Sequence, residues 1–440
     1  MSTDHSAPGA TLGFWTCTAL VVGNTIGVGV FLLPAALAPF GLNAMSGWGV
    51  TAIGCLVLAQ VFASLARAMP GEDGPFGYIR RTQGETAAFV AIWGYWVSVW
   101  VTNATIPVSI VGYVQAAFPS IAGHAPPLML ALGLQWLFVL VNLFGLRAGG
   151  FVQIVTTVLK LLPLAGIVLL GLWLLIAHPV LYAAHTPVTP MALGPTTQAA
   201  TLALYAMLGL ECAAVPAGRV RDPGRTIPRA TLAGTALTAA IYVAVSIIPM
   251  LLIPQAELAK SSAPFVDLLD RYLAAGSGRW LAMFVVVSGL GALNGWTLLA
   301  GEVSRTMAIN GVLPIPLAQV NRRGAPALAL VVTGVLASAM VLMNYSRSLV
   351  AGFSFLSLMV TAACLPLYLL CAVAIVVLWR RERRSAPVMF LVVGGLSAAY
   401  VLFAFAGAGA EPLLWTAVLA AAGLPLFLLM RRRRPAQAAS

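Results

Sequence analysis

Long apolar runs, separated by short polar or charged segments, fill the sequence from end to end. A helix rises about 1.5 Å per residue, so about 20 mostly apolar residues cross a bilayer core. In lipid, main-chain N–H and C=O groups need partners within the protein, so such runs form helices. Twelve stretches qualify, at roughly 12–37, 45–68, 87–118, 126–145, 150–177, 196–217, 229–253, 278–304, 325–344, 349–378, 387–408 and 412–430. The pattern predicts an all-α integral membrane protein with twelve transmembrane helices.

Composition supports this prediction. Of 440 residues, 60% are hydrophobic and 8% are charged, whereas a soluble domain is about 45–50% apolar and about 25% charged. This difference excludes a soluble enzyme, a disordered chain and a fibrous protein.

The outward segment 254–274 alternates apolar and charged positions at helical spacing. We expect a short interfacial helix there that covers the outward mouth of the protein.

The placement of the basic residues predicts the orientation in the membrane. With the N terminus in the cytoplasm, 19 of the 24 Lys and Arg residues fall in inward segments and four in outward segments. Such a bias is typical of cytoplasmic loops, so both termini are expected in the cytoplasm. It also accounts for the net charge of +12 without a nucleic-acid partner. We expect no cleaved signal peptide.

Candidate chemistry is sparse. The five cysteines form no C-x-x-C pair, and the four histidines fall in tails or outward loops, so we expect no metal and no cofactor. A membrane-embedded enzyme would need a nucleophile with its base, or a metal-ligand set, and the sequence has neither pattern. A phosphate-binding G-x-x-x-x-G-K-[ST] loop is also lacking, which argues against ATP-driven transport.

Two spans are interrupted. The first contains GNTIGVG (23–29), and the sixth contains LGLECAAVP (208–216). Each glycine weakens a helix by about 1 kcal/mol, and freed main-chain groups in lipid cost more. Breaks at corresponding positions of two halves are typical of transporter binding sites and predict two inverted five-helix repeats. The alternative for the glycines is close packing of unbroken helices.

Broken helices suggest what could bind. A half-helix N terminus presents free N–H groups to a carboxylate, and a half-helix C terminus presents carbonyls to an ammonium group. Two such breaks facing each other suit a zwitterionic amino acid. The residues therefore favour a secondary transporter that works by alternating access. A channel is less consistent, because the spans offer no continuous polar lining.

Four segments resemble the amino acid–polyamine–organocation superfamily: GNTIGVGVFLLPAALA (23–38), GEDGPFGYIRR (71–81), GRVRDPGRTIPRAT (218–231) and LNGWTLLAGEVSR (293–305). The bacterial arginine/agmatine antiporter group is the most similar. The resemblance implies a LeuT-like fold, arranged as a cytoplasmic tail (1–11), a first five-helix repeat (12–177), a second repeat (196–378), two extra helices (387–430) and a basic cytoplasmic tail (431–440). Members of the family often form dimers, so a homodimer is an open alternative.

The resemblance also implies a substrate site. Main-chain amides of Gly27, Val28 and Gly29 would hold a carboxylate, and carbonyls at Ile26 and near Leu208 would hold the α-ammonium group. Side chains at the far end would be Asn103, Tyr205 and Trp296, with Ser357 as a further candidate. Trp296 would stack on a cationic side chain. The group carries serine where this chain has Val28, and tryptophan where it has Tyr205, which weakens the expectation of arginine specificity.

Two ionisable residues lie inside predicted spans. Lys160 is about 15 Å of helix from Gly150, deep in span five, and resembles the lysine that replaces a sodium ion in sodium-independent relatives. Glu211 follows the break in span six. We expect both to act in proton coupling or gating. The alternatives are a Lys160 side chain that reaches the membrane surface and a structural Glu211 that bonds freed main chain.

The leading hypothesis is exchange of a basic, arginine-like amino acid for its decarboxylated amine. The alternative is proton-coupled uptake or export of neutral or other amino acids or polyamines. The expected partners are a small-molecule substrate, the lipid bilayer and, in the coupled case, protons.

Overall fold

The computed structural model describes residues 13–69, 72, 74–122, 124–144, 150–185, 187, 189–210, 223–344, 346–381 and 388–437. In these residues there are helices and connecting segments, and no β-strand. The helices are α1 (Phe14–Thr25), α2 (Leu33–Leu37), α3 (Leu42–Ala68), α4 (Gly74–Gln83), α5 (Glu85–Ala117), α6 (Pro119–Ala122), α7 (Pro127–Leu143), α8 (Gly150–Ala177), α9 (Val180–His185), α10 (Leu193–Met207), α11 (Pro223–Leu252), α12 (Gln255–Leu258), α13 (Pro264–Tyr272), α14 (Gly278–Ile309), α15 (Ala327–Met343), α16 (Leu349–Arg381), α17 (Met389–Gly407) and α18 (Ala410–Gln437).

Eight helices in the described residues are long and apolar enough to cross a bilayer: α3, α5, α8, α11, α14, α16, α17 and α18. The prediction of a multi-pass, all-helical membrane protein is therefore confirmed. The other four predicted spans contain shorter helices. α7 and α15 have 17 residues each, α10 has 15, and the first span is divided between α1 and α2.

Helices α5 and α16 form the centre of the bundle. α5 packs most extensively against α16 and α14, and its apolar stretch is entirely buried. A glycine allows the close approach of α5 and α16: a Cβ added at Gly94 would lie 2.5 Å from the Ala363 carbonyl oxygen. α5 therefore presents side chains to the interior along the whole of this apolar stretch.

A small helical cap closes one end of the bundle, which we call the cap end. The cap consists of α12 and α13, in agreement with the helix expected within 254–274. Gln255 donates through Nε2 to the Ala38 carbonyl at 2.9 Å. The Phe265 ring meets the Phe31 ring edge-on at 5.8 Å between centroids. The cap is thus tied to the chain that follows the first break.

Candidate functional site

The first span is broken as predicted. Helix α1 ends at Thr25, with the Ile26 amide donating to Val22 O at 2.9 Å. Ile26 and Gly27 are extended, and a short 3₁₀-helix follows at Val28–Phe31. The first N–H groups of any helix lack partners within that helix. Those of Val28 and Gly29 therefore lie at a helix start inside the bundle, both residues being buried.

Two side chains from other helices form hydrogen bonds with the main-chain groups that the break separates. In an unbroken helix the Gly27 amide would donate to Gly23 O. Instead it donates to the Tyr242 hydroxyl at 3.0 Å, and this hydroxyl donates to Thr25 O at 3.1 Å. The Lys160 ammonium group donates to Gly23 O. The main-chain hydrogen bond lost at the break is thus replaced at both of its ends.

The sixth span is interrupted at the expected place. Helix α10 ends at Met207, and Leu208 is extended, with φ −64° and ψ 147°. Gly209 then takes φ +102°, in the left-handed region that glycine enters without strain. Residues 211–222 lie outside the described residues, and the prediction for Glu211 falls among them. The ends of α1 and α10 face the same space.

This space is a central cavity of about 40 Å³. Six of the predicted binding residues line it, namely Gly27, Val28, Gly29, Tyr205, Leu208 and Trp296. The sequence analysis did not single out the other lining residues, which are Thr25, Val30, Thr102, Ile106, Ala206, Tyr242 and Val360. The two breaks and the aromatic residues therefore surround one site.

Tyr205 lies directly against the first break. A Cβ added at Gly29 would lie 2.4 Å from Tyr205 Cε1. On its other side the Tyr205 ring meets Phe353 edge-on at 5.7 Å between centroids. The ring is 8% exposed, so it fills space that a substrate would need and must move for a larger ligand to enter.

Three predicted residues are not among those that line the cavity. Asn103 donates through Nδ2 to the Trp296 carbonyl at 3.2 Å, so it holds α14 against α5. Ser357 is fully buried in α16, and its hydroxyl has no hydrogen-bond partner. Ile26 is 1% exposed and packs in the core. In this conformation these three residues are buried and are not among the lining residues.

The residues that sequence reasoning missed differ in how visible they were. Thr102 adjoins Asn103, and Val360 lies three residues after Ser357, so both were near a predicted position. Tyr242 lies 215 residues from Gly27, and no local pattern connects the two. Its role depends on the packing of α11 against α1.

The cavity is electrostatically simple. Of the described residues that line it, none carries a charged side chain. The available polar groups are main-chain N–H and C=O groups, the hydroxyls of two threonines and two tyrosines, and the indole of Trp296. No three His, Cys, Asp or Glu side chains come together in the described part of the chain. Such a site binds charge through main-chain dipoles and aromatic faces.

The broken helices and the cavity between them are consistent with a multi-pass membrane transporter, and sequence comparison identifies the family. The profile of the family described as "Amino acid permease" matches residues 12–424. The chain belongs to this family, which is part of the amino acid–polyamine–organocation superfamily. It is a transporter and not an enzyme.

Several curated proteins are similar over most of their length. A Bacillus subtilis (strain 168) protein, provisionally named an arginine/ornithine antiporter, is 32% identical over 82% of this chain and 83% of its own. The cadaverine/lysine antiporter of Escherichia coli (strain K12) is 32% identical over 76% of this chain and 74% of its own. The putrescine transporter PotE of Haemophilus influenzae is 28% identical over 96% and 97%. The names of these relatives refer to the basic amino acids arginine, ornithine and lysine and to the amines cadaverine and putrescine.

Proposed function

We propose that this protein exchanges a basic, arginine-like amino acid for its decarboxylated amine across a bacterial inner membrane. The proposal includes twelve spans in two inverted repeats with two further helices, and both termini in the cytoplasm. The single observation that carries it is the shared cavity at the two helix breaks. The names of the relatives, which pair basic amino acids or polyamines with transport, support the substrate class.

The carboxylate of the substrate binds at the start of the 3₁₀-helix, through the amides of Val28 and Gly29. Both residues line the cavity, and the partial positive charge of a helix start favours an anion. The Gly27 amide donates to the Tyr242 hydroxyl. The third donor to the carboxylate is therefore either this hydroxyl or the Gly27 amide after it has left Tyr242. The α-ammonium group binds carbonyls at Ile26 and Leu208, where the two helices end.

The side chain of the substrate lies between Tyr205 and Trp296. With no carboxylate among the described lining residues, a cationic side chain is stabilised by the faces of these rings. Because Tyr205 fills space beside Gly29, its ring moves aside when substrate enters and closes over it afterwards. Alternating access then follows from movement of the outer arms of the two broken spans around a fixed site.

Lys160 holds the inner half of the first broken span by its bond to Gly23 O. We assign to Lys160 and Glu211 a role in coupling or gating. A second candidate function is proton-coupled movement of neutral amino acids or of polyamines. The absence of a charged side chain from the described lining of the cavity favours the neutral amino acids within this alternative.

Counterflow in proteoliposomes tests the proposal. Vesicles with purified protein are loaded with arginine, lysine, ornithine, agmatine, cadaverine, putrescine or leucine, and uptake of labelled arginine is followed. Uptake should accelerate only when the interior holds a basic amino acid or its amine. Exchange of arginine for arginine moves no net charge, so a proton ionophore should leave its rate unchanged. Uptake that needs no internal substrate and collapses with the ionophore would instead identify proton-coupled transport.

A further inference from the structure

A second and larger cavity, of about 370 Å³, lies at the cap end of the bundle. We call it the outer cavity. Four parts of the chain form its wall: the end of α2 with the segment after it, the first half of α10, the first half of α16 and the turn between α17 and α18. The lining residues are Ala36, Pro39, Phe40, Gln198, Leu202, Ser354, Leu358, Gly407, Ala408, Gly409, Ala410, Glu411 and Pro412.

The turn between α17 and α18 is held firmly against α10. Thr201 donates through Oγ1 to the Ala404 carbonyl at 2.9 Å. A Cβ added at Gly407 would lie 2.2 Å from the Thr197 carbonyl oxygen, so only glycine permits this approach. The chain then turns through Gly409, at φ +81°, into α18. This packing gives the outer cavity a defined rim that carries Glu411.

The outer cavity continues towards the central cavity along two helices. On α10, Gln198 and Leu202 line the outer cavity, and Tyr205 lines the central one. Spacings of four and three residues place all three on one helix face. On α16, Leu358 and Val360 line the outer and central cavities in the same order. One helix turn that includes Tyr205 therefore separates the two spaces.

Glu411 gives the outer cavity its charge. No other described residue of the lining has a charged side chain. Its Oε1 pairs with Nη2 of Arg347 at 2.5 Å. The Arg347 guanidinium group lies over the Phe355 ring, 4.5 Å from its centroid. A carboxylate accepts several hydrogen bonds through two oxygens, so Oε2 of Glu411 can bind a second cation while Oε1 holds Arg347.

We propose that the outer cavity is a second binding site, which takes the primary ammonium group of an amino acid or diamine before it reaches Tyr205. The ammonium group binds Oε2 of Glu411, the carbon chain lies against Phe40, Leu202 and Leu358, and the carboxylate of an amino acid meets Arg347. The inference takes its substrate class from the proposed function. It adds a waiting site on the route into the central cavity.

Thiol protection tests the outer cavity directly. Ala410 is exposed and lines the cavity, whereas Cys17, Cys55, Cys364 and Cys371 are buried. An Ala410→Cys variant is placed in nanodiscs of phosphatidylethanolamine and phosphatidylglycerol and treated with a charged, membrane-impermeant thiol reagent, with labelling of the parent chain as background. Putrescine and arginine, the two probes, should each slow labelling of the introduced thiol.

Three second substitutions in the Ala410→Cys chain identify the cause of protection. Trp296→Leu, in the central cavity, should leave protection in place. Glu411→Gln should raise the half-protecting concentration of putrescine by about three-fold or more. Glu257→Gln is the matched control. Glu257 pairs with Arg271 as Glu411 pairs with Arg347, and in both pairs the carboxylate side chain is 52% exposed and the arginine 32%. Glu257 does not line the cavity. It should change nothing.

The outcomes separate this inference from the proposed function. Protection without amine exchange in vesicles would support the outer site and reject the exchanger. Exchange without protection would reject the outer site alone. Protection that vanishes with Trp296→Leu, or that Glu411→Gln leaves unchanged, would also overturn the inference. So would a thiol that is unreactive even without a probe, because a lipid tail would then fill the cavity.

Discussion

Lys160 and Tyr242 hold the two ends of the same missing main-chain hydrogen bond. Lys160 donates to the Gly23 carbonyl, and Tyr242 accepts from the Gly27 amide at 3.0 Å, while these groups would bond each other in a continuous helix. Both side chains are buried, so neither can be replaced by bulk water. The break is therefore stabilised by two helices, α8 and α11, that lie apart from it in sequence.

Tyr242→Phe removes one of these replacements and leaves the ring. The Gly27 amide and Thr25 carbonyl then lack their buried partner, at a cost of about 1–3 kcal/mol. We expect kcat/KM for exchange to fall by about ten-fold, as measured by counterflow. Tyr182→Phe is the control, because its hydroxyl bonds Gly171 O away from the break. Equal losses in the two variants would contradict a specific role at the break.

Lys160→Met keeps the length of the side chain and removes its donor. Gly23 O loses its partner, so we expect turnover to fall by at least about ten-fold, with a smaller change in KM. Lys160→Arg, which keeps a donor, should recover part of the rate. Normal transport over the full pH range in Lys160→Met would show that the ammonium group has no part in turnover.

The Lys160→Met and Tyr242→Phe substitutions should not be additive. Because both residues bind groups released by one break, a double-mutant cycle should give a coupling energy of about 0.5 kcal/mol or more, above the limit for independent sites. The measurement is kcat/KM for the two single variants, the double variant and the parent. An additive result would show that the two contacts stabilise the break independently.

Trp296→Leu tests whether an aromatic face binds a cation. The variant should weaken binding of arginine and agmatine by roughly ten- to thirty-fold, and binding of a neutral amino acid much less. Calorimetry on purified protein measures both. Trp280→Leu, at an exposed position of the same helix, is the control. Equal losses for cationic and neutral ligands would remove the cation–π contact from the site.

Glu211→Gln tests proton coupling at a position outside the described residues. The sequence places this carboxyl two residues after the φ +102° turn of Gly209. If its protonation accompanies transport, the variant should give a flat rate profile between about pH 5 and about pH 8. A profile identical to that of the parent protein would assign Glu211 a structural role.

The cap should respond to pH through Asp267. Burial raises the pKa of its carboxyl, and the Ser261 hydroxyl, which donates to it, opposes the rise. Of the neighbouring charges, Glu257 and Asp270 raise this pKa further and Arg271 lowers it. A carboxyl whose pKa is higher in the folded cap is protonated more readily there, so the cap gains stability as the pH falls through this raised pKa.

Asp267→Asn removes the charge and should therefore remove this response. Hydrogen exchange over residues 261–272, at about pH 5 and about pH 8 after correction for intrinsic rates, should show acid protection in the parent and none in the variant. Asp270→Ala should lose protection at both pH values, because Asp270 accepts from the Gly278 amide at 2.7 Å. Acid protection that survives Asp267→Asn would place the titrating group elsewhere.

The sequence predicted those features that local chemistry decides. Glycines around Asn24 and Thr25 indicated the first break, and Gly209 indicated the second. Glycine weakens a helix, and main-chain groups without partners are costly in lipid. Apolar length indicated the spans, but it could not show that α7 and α15 are each 17 residues long. The ends of these helices depend on the turns that tertiary packing selects.

Long-range contacts were beyond the sequence. Nothing near Tyr242 indicates that its hydroxyl reaches Gly27. Nothing near Ser357 indicates that it is fully buried and does not line the cavity. Lys160 was visible because a cation in an apolar span is conspicuous, whereas a tyrosine there is common. Val28, Tyr205 and Leu208 are ordinary residues of an apolar span, and only the family resemblance pointed to them.

The contact between Gly29 and Tyr205 also limits how this site can diverge. A methyl group at position 29 would overlap the ring of Tyr205 at 2.4 Å, so the smallest step away from glycine displaces the gate. A larger residue is tolerated more easily in a descendant that has already exchanged Tyr205 for a smaller residue. Substrate range in this lineage should therefore shift through paired replacements, in which the order of the two mutations decides whether the intermediate survives.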